Sequence, residues 1–143
     1  LKYIGTDTFN GAFAQPVTVT IPESVIGIGS QAFYSGNVNR IVVHTTTTPT
    51  SFFSGSGNDW LSGKINTKAL KASGLDMVLF TNAEVYEAYY NNYDGLNSEK
   101  EKFTFPITVH FLSEDNETIL ETQTKLYNFP LNYTFVNEWT QNG

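Results

Sequence analysis

The segment IGSQAF at residues 28–33, with the short run RIVV at residues 40–43, decides the fold that the sequence predicts. An upstream counterpart exists in IGTDTF at residues 4–9, followed by VTVTI at residues 17–21. With a constant offset of 24 residues, the two copies align Ile4 with Ile28, Gly5 with Gly29, Phe9 with Phe33, Val17 with Ile41, and Val19 with Val43. A fixed period within roughly 20–50 residues is typical of solenoid folds.

Each copy predicts a turn, a buried phenylalanine, a loop and a short strand. Residues 17–21 alternate valine or isoleucine with threonine, which indicates a half-buried strand, and Pro22 ends it. Stacked at one strand per repeat, the copies would form a narrow parallel sheet, with the isoleucines in one column and the phenylalanine rings stacked in another. Gly5 and Gly29 have two explanations, a positive φ or a close contact with the neighbouring repeat.

The most specific motif is TIPESVIGIGSQAF at residues 20–33. It resembles the BspA-type leucine-rich repeat of bacterial surface proteins, whose motif IPxSVxxIGxxAF recurs about every 23 residues, within the solenoid range. The first copy departs from this motif, since Thr8 stands where the second copy has Ala32. The resemblance implies a short solenoid with parallel strands.

The middle of the chain predicts an insertion and a further repeat. Residues 45–49 are threonines closed by a proline, and residues 51–63 are rich in serine and glycine, so an insertion of roughly a dozen residues is expected mostly in 50–63. Residues 64–73 are expected to form a short helix with Ile65, Ala69 and Leu70 inward, ended by Gly74. Residues 77–80, MVLF, would be the next strand.

A tyrosine-rich helix is predicted next. Thr81 is the expected N-cap, with Glu84 completing a capping box, and residues 85–93 form the helix. Four tyrosines at positions 86, 89, 90 and 93 share one helix face. Residues 78–89 resemble the last coil of the same surface family, which implies a helical cap on the solenoid. A turn at Asp94-Gly95 and a charged linker at residues 97–102 would follow.

The last forty residues change character. Residues 107–112 alternate apolar and polar side chains, as in a half-buried strand. Residues 113–117 read as a turn with Asn116 at the usual glycine position, and residues 118–123 as the second strand, so a β-hairpin is predicted. More strand-type residues follow, interrupted by Pro130: Tyr127, Phe129, Leu131, Tyr133, Phe135 and Val136. The hairpin resembles the first hairpin of the mucin-binding-protein and immunoglobulin-like modules of Gram-positive surface proteins. The expected organisation is a repeat region with its cap at residues 1–103 and a small β-module at residues 104–143. This module is expected to be either incomplete at Gly143 or a partial β-unit packed on the end of the solenoid.

Composition narrows the partners. The 143 residues include only 15 % charged residues and 15 % aromatic residues, so a packed core is expected. The net charge is −6, so neither nucleic acid nor an anionic membrane surface is an expected partner. Cysteine is absent, which removes disulfides and thiolate metal sites. No apolar run approaches the roughly 18 residues of a membrane span. Because Leu1 lies inside a repeat, the chain is expected to be a fragment of a longer protein.

No catalytic or metal-binding constellation is predicted. His44 and His110 lie in different units and are expected to be ordinary surface residues, and no nucleophile elbow is present. The acidic turn of Glu114, Asp115 and Glu117 lacks a calcium-loop pattern, so a solvated turn is favoured over a calcium site. No cofactor is expected.

Aromatic residues are the candidate contact sites. Tyr86 and Tyr90 are expected to pack into the cap, while Tyr89 and Tyr93 are the candidate binding residues on that helix. Trp60 is the third candidate binding residue, and it either plugs the insertion against the sheet or lies exposed as a contact. Exposed rings would suit a glycan or a protein partner.

The predicted fold class is therefore α+β: a short leucine-rich-repeat solenoid with a helical cap, followed by a small antiparallel β-module. The resemblance implies a non-catalytic bacterial protein, secreted or attached to the cell wall, that mediates adhesion by binding a host or matrix protein. Two alternatives stay open. One is a carbohydrate-binding accessory region of a larger surface enzyme, and the other is a spacer that only holds another domain away from the wall.

Overall fold

The computed structural model describes residues 1–48, 51–93 and 100–128. Within those ranges the chain is α+β, as predicted, with two mostly parallel sheets and one helix. A 3₁₀ turn spans Asp59–Ser62. The strands are β1 (Tyr3–Ile4), β2 (Val17–Ile21), β3 (Gly27–Ile28), β4 (Val38–Val43), β5 (Phe52–Phe53), β6 (Ile65–Asn66), β7 (Met77–Phe80), β8 (Phe103–Leu112) and β9 (Ile119–Tyr127), and the helix is α1 (Ala83–Asn92).

Three consecutive segments of the chain each contribute one strand to each sheet. Sheet 1 has the order β1-β3-β6-β5, and sheet 2 has the order β2-β4-β7-β8-β9. The pairs that join successive segments are all parallel, and among the strands of the described residues only β8 and β9 pair antiparallel. The core lies between the sheets, and Ile41, Val43, Val78 and Phe80 are buried at alternate positions of β4 and β7.

The predicted alignment is confirmed for sheet 1 and wrong for sheet 2. Ile4 pairs with Ile28, 24 residues later. In sheet 2, however, Val19 pairs with Ile41, two residues before the predicted Val43, and Val17 pairs with Val38, three residues before the predicted Ile41. A register irregularity after Val17 absorbs part of the difference. A shift of two residues keeps every side chain on its face, which is why the inward pattern alone did not reveal it.

The helix predicted at residues 64–73 is wrong. Ile65 is instead a strand residue, and it pairs with Ile28 to extend the isoleucine column. Residues 65–70, INTKAL, repeat the pattern of residues 28–33, and Ala69 and Leu70 are buried like their counterparts. Pairing with the preceding segment outweighs helix propensity here, because propensity is a weak local preference.

The two stacked phenylalanines are as predicted. The rings of Phe9 and Phe33 lie 5.4 Å apart at an angle of 4°, and Phe33 is fully buried. The backbone N–H of Phe9 donates to the carbonyl of Ala32 at 2.7 Å, so the two segments are joined by hydrogen bonds beside the rings. Side-chain stacking and backbone pairing therefore hold the same two segments together.

The contact explanation for Gly29 is confirmed. A Cβ atom on this residue would lie 2.3 Å from the backbone nitrogen of Thr6, in the preceding segment. Among the described glycines, a positive φ occurs at Gly11, Gly63 and Gly74. Gly29 is therefore required by the close approach of two backbones.

The insertion lies where the sequence predicts it. β5 and the 3₁₀ turn both fall within residues 50–63, and β5 pairs with β6 at the edge of sheet 1. The inserted residues thus extend sheet 1 by one strand beyond the third segment.

The N-cap of the helix is Asn82, one residue later than predicted, and the helix itself begins at Ala83, two residues before the predicted start. The Val85 N–H donates to Asn82 Oδ1 at 3.0 Å. Thr81 instead continues the pairing of the strands, since its N–H and its hydroxyl both donate to the carbonyl of Val43, at 3.1 and 3.2 Å. Asparagine is among the strongest N-cap residues, so this displacement is physically reasonable.

An aromatic cluster fixes α1 to the end of the two sheets. Phe80 lies at its centre, with ring-centroid distances of 5.6 Å to Tyr86, 5.2 Å to Tyr89 and 5.4 Å to Phe103. From the insertion, Phe52 meets Tyr89 edge to face at 5.6 Å. The cluster therefore joins both sheets to the helix.

The predicted hairpin is present, and it continues sheet 2. β8 and β9 pair antiparallel, while Phe103 and Thr104 at the start of β8 pair in parallel with β7. The predicted boundary between residues 103 and 104 thus falls inside β8. Asn116 has a φ of 60° in the turn, the conformation for which glycine is usual. The predicted turn at Asp94-Gly95 and the strand-type residues from Phe129 to Val136 lie outside the described residues.

Candidate functional site: the outer face of sheet 2

The outer face of sheet 2 consists of the side chains that point away from the core. Strand register arranges them in two rows that cross the sheet. One row is Thr18, Arg40 and Met77, and the other is Thr20, Val42, Leu79 and Thr104.

The described residues place no helix over this face. α1 packs on Phe80 and Phe103, which belong to the inner side of the sheet. Val42, Met77 and Leu79 remain half-buried at the surface. Parallel sheets are nearly always covered on both faces, so a face of this kind, open within the described ranges, is a natural place for a partner.

Arg40 is the distinctive side chain of the outer face. It is the single arginine of the chain, and it stands on the central strand of β2, β4 and β7. Its Nε is buried and has no hydrogen-bond partner among the described residues. A buried, unpaired donor is costly, so an acceptor brought by a partner would be rewarded here. A carboxylate suits a guanidinium best, because two parallel hydrogen bonds can form.

Trp60 packs against sheet 1 and not on the outer face of sheet 2. Its ring lies 6.1 Å from that of Tyr3, and a Cβ atom on Gly5 would be 3.4 Å from the indole. Its carbonyl oxygen approaches Gly27 so closely that a Cβ there would lie 2.2 Å away. The indole is half-buried, and its Nε1 has no partner among the described residues. Of the two predicted arrangements, the structure has the one in which the indole plugs the insertion against the sheet.

Tyr89 and Tyr93 lie in the core. Only 2 % of Tyr89 and 4 % of Tyr93 is exposed, and Tyr93 packs on Phe103 at 4.9 Å. Tyr86 is fully buried, whereas Tyr90 is half-buried beneath the Lys100 ammonium at 5.6 Å. In this arrangement neither candidate tyrosine offers a ring face to a ligand. The structure does not bring Trp60, Tyr89 and Tyr93 together.

Burial of Tyr89 predicts a loss of stability at alkaline pH. Desolvation raises the pKa of its phenol above the usual range, whereas the unfolded chain ionises near pH 10. Stability is therefore unaffected below about pH 10 and falls above it, by up to about 1.4 kcal/mol per pH unit for this group. Urea unfolding between pH 9 and 11 measures the slope, and Tyr89→Phe is expected to have a shallower one. Equal slopes in the two proteins would contradict the assignment.

The two histidines lie in different parts of the fold, and each is beside a threonine hydroxyl. His44 Nδ1 lies 3.3 Å from Thr81 Oγ1, and His110 Nδ1 lies 2.9 Å from Thr122 Oγ1, both at the surface. Within the described ranges, no three His, Asp or Glu side chains are grouped as metal ligands.

The acidic turn is occupied by its own hydrogen bonds. Asp115 accepts from the Ser113 hydroxyl and from the Glu117 N–H, and these bonds lower the pKa of its carboxyl. The carboxylate therefore stabilises the turn of the hairpin.

A small pocket lies between the threonine run that follows β4 and the residues at the end of the insertion. Its volume is about 210 Å³, and its walls are mainly apolar with three threonines: Val25, Ile26, Thr45, Thr47, Thr48, Gly63 and Ile65. Pockets for drug-sized ligands usually exceed about 300 Å³, so this one suits only a very small molecule.

No protein-family model, no curated protein and no solved structure matches the chain. No helix in the described part of the chain is both long and apolar enough to cross a membrane.

The sequence predictions missed the outer face, although a signal for it exists. Residues 38–43 and 77–80 alternate buried and less buried positions, so each strand has a second face. Only the pairing of Arg40 with Met77 and of Val42 with Leu79 turns these positions into a surface. That pairing depends on contacts far apart in the chain.

Proposed function

We propose that the chain belongs to a bacterial surface protein with BspA-type leucine-rich repeats, and that it binds a host or matrix protein through the outer face of sheet 2. In this proposal the three two-strand segments are successive coils of a solenoid, α1 caps them, and the hairpin begins a β-module. The observation that carries the function is the partly apolar outer face with the unpaired Arg40 Nε at its centre.

A protein partner fits this face better than a glycan. Arg40 and Met77 lie side by side on this face, and arginine and methionine are both enriched in protein interfaces. Glycan binding usually uses an exposed aromatic ring, and the outer face has none among its seven residues. A spacer would need neither feature.

The proposal predicts that Arg40→Glu weakens binding to a matrix protein by roughly tenfold or more, the effect of losing a central contact residue. Purified fibronectin, laminin and collagen, each immobilised, are the probes, and surface plasmon resonance measures the Kd. Lys2→Glu is the matched control, because it makes the same charge change at an exposed site beside sheet 1.

Both variants must first show the wild-type far-UV circular dichroism spectrum. If the wild-type chain binds none of the probes, or if both variants lose affinity equally, the outer face is not the adhesive surface. A loss confined to Arg40→Glu supports the proposal.

Carbohydrate binding is the second candidate, and the half-buried Tyr3–Trp60 pair is the observation that favours it. The chain has two tryptophans, so Trp139→Phe leaves Trp60 as the sole indole. An emission shift of Trp60 in a series of neutral oligosaccharides, with protection from acrylamide quenching, would favour the glycan. Unchanged emission would leave binding of a protein partner as the favoured function.

A further inference from the structure

Asn10 is directly followed by Gly11 in the turn between β1 and β2, and both residues are exposed. In an asparagine–glycine pair the backbone nitrogen of the glycine readily attacks the side-chain amide before it, because glycine has no Cβ to hinder the approach. Outside the neighbouring residues, no heavy atom lies within 4 Å of the Cβ position at Gly11. The Gly11 N–H has no acceptor among the described residues, so its nitrogen is free to act as a nucleophile.

Two hydrogen bonds hold the side-chain amide of Asn10 in one orientation. Its Oδ1 accepts from the Ser35 N–H at 3.1 Å, and its Nδ2 donates to Asp7 Oδ1, also at 3.1 Å. The reversed orientation would set an N–H group against an N–H group and an oxygen against a carboxylate, so the orientation is fixed. The bond from Ser35 also links the first segment of the chain to the second.

The same bond from Ser35 prepares the amide carbon of Asn10 for attack. Attack on Cγ moves negative charge onto Oδ1, and a backbone N–H that already points at this oxygen stabilises the developing charge. The Gly11 nitrogen forms a bond to Cγ, the bond from Cγ to Nδ2 breaks, and ammonia leaves with the proton that the Gly11 nitrogen loses. Water then opens the cyclic imide at either of its carbonyl carbons, which leaves aspartate or isoaspartate at residue 10. Nothing is oxidised or reduced.

We propose that Asn10 is a site of spontaneous deamidation, and that the reaction loosens the first segment from the second. A carboxylate then lies where the amide donated to Asp7, so a hydrogen bond is replaced by two like charges. Isoaspartate also lengthens the backbone between two turn bonds, from the Asn10 N–H to the Asp7 carbonyl at 3.0 Å and from the Ala12 N–H to the Phe9 carbonyl at 3.2 Å. Phe9 carries the ring that stacks on Phe33. This proposal does not depend on the adhesive function of the outer face.

The first test is peptide mapping by mass spectrometry, after prolonged incubation of the full chain in neutral buffer. Asn10 is expected to lose its amide roughly tenfold faster than Asn58, which is also exposed but precedes Asp59, because only glycine leaves the attacking nitrogen unhindered. Gly11→Asn is expected to slow the reaction at Asn10 by a similar factor, because the new Cβ shields the nitrogen. Asparagine tolerates the φ of 70° at this position, so the variant keeps the turn.

Three outcomes of this test would overturn the proposal. One is an Asn10 that keeps its amide in the folded chain while the same chain, unfolded in urea, loses it. The others are equal rates at Asn10 and Asn58, and an unchanged rate at Asn10 in Gly11→Asn.

The second test measures the loosening itself by urea unfolding. Asn10→Asp reproduces one product, and it is expected to raise the equilibrium constant for unfolding roughly fivefold, the effect of one lost hydrogen bond. Asp7→Asn in the same chain removes one of the facing charges and is expected to recover most of the loss. Asn58→Asp is the matched control, because its side chain has no hydrogen bond among the described residues. An equal loss in Asn58→Asp, or no recovery with Asp7→Asn, would contradict the proposed loosening.

Discussion

Replacing Phe80 with alanine is expected to lower the free energy of unfolding by about 3–5 kcal/mol, the range for removing a fully buried phenylalanine. Phe80 is 0 % exposed, and its ring contacts Tyr86, Tyr89 and Phe103. Alanine would leave a cavity at the point where β7, β8 and α1 meet. Partial collapse cannot fill it, because each surrounding ring is also held by a further one, Tyr86 by Phe105, Tyr89 by Phe52 and Phe103 by Tyr93. Urea unfolding followed by circular dichroism measures the change.

Tyr34→Ala is the matched control for Phe80→Ala. Tyr34 is 38 % exposed, and the Lys71 ammonium lies 5.2 Å from its ring. An exposed cation–π contact contributes about 0.5–1 kcal/mol, so the control is expected to lose little more than that. Equal losses in the two variants would mean that the aromatic cluster does not hold the helix on the sheets.

Gly29→Ala is expected to destabilise the fold by about 3 kcal/mol or more, the upper part of the range for forcing extra atoms into a packed site. The new Cβ would lie 2.3 Å from the backbone nitrogen of Thr6 and 2.8 Å from the carbonyl carbon of Gly5. A flexible side chain could move aside, but these are backbone atoms. The first and second segments would have to separate, which also breaks the bond from the Gly29 N–H to the Ile4 carbonyl at 2.8 Å.

Gly57→Ala tests the same chemical change without the contact. No heavy atom lies within 4 Å of the Cβ position at Gly57, and its φ is not in the positive region. Alanine is expected to be neutral there or to stabilise by about 0.4–1 kcal/mol, because it restricts the unfolded chain. If thermal unfolding shows the same loss of stability for both variants, the close approach of the first two segments is not what requires glycine at residue 29.

The first two repeats could be predicted from the sequence because their key residues are local and distinctive. The isoleucine column, the stacked Phe9 and Phe33, and the contact role of Gly29 follow from a single spacing. The first part of the third repeat was wrongly predicted as a helix because Asn66 replaces the glycine and Leu70 replaces the phenylalanine. Asn66 can stand there because its amide donates to the Gly55 carbonyl at 2.8 Å, within the insertion. A contact of this kind is not visible in the local pattern.

The candidate site was harder to predict for two physical reasons. A tyrosine on one helix face serves equally well in a core or at an interface, because it has an apolar ring and a polar tip. Tyr89 and Tyr93 lie in the core since Phe80 of β7 packs on the first and Phe103 of β8 packs on the second. The outer face also depends on strand register, and the register in sheet 2 differs by two residues from the spacing of the repeat motif.

Met77 gives the most direct test of the central claim, that a protein partner binds the outer face of sheet 2. It is the one methionine of the chain, and it pairs with Arg40 in the outer row. The measurement is its rate of oxidation by dilute hydrogen peroxide, by mass spectrometry, with and without a saturating matrix protein that the chain binds. The account predicts that the bound protein slows oxidation severalfold, because it covers the thioether. An unchanged rate with the partner bound would contradict it.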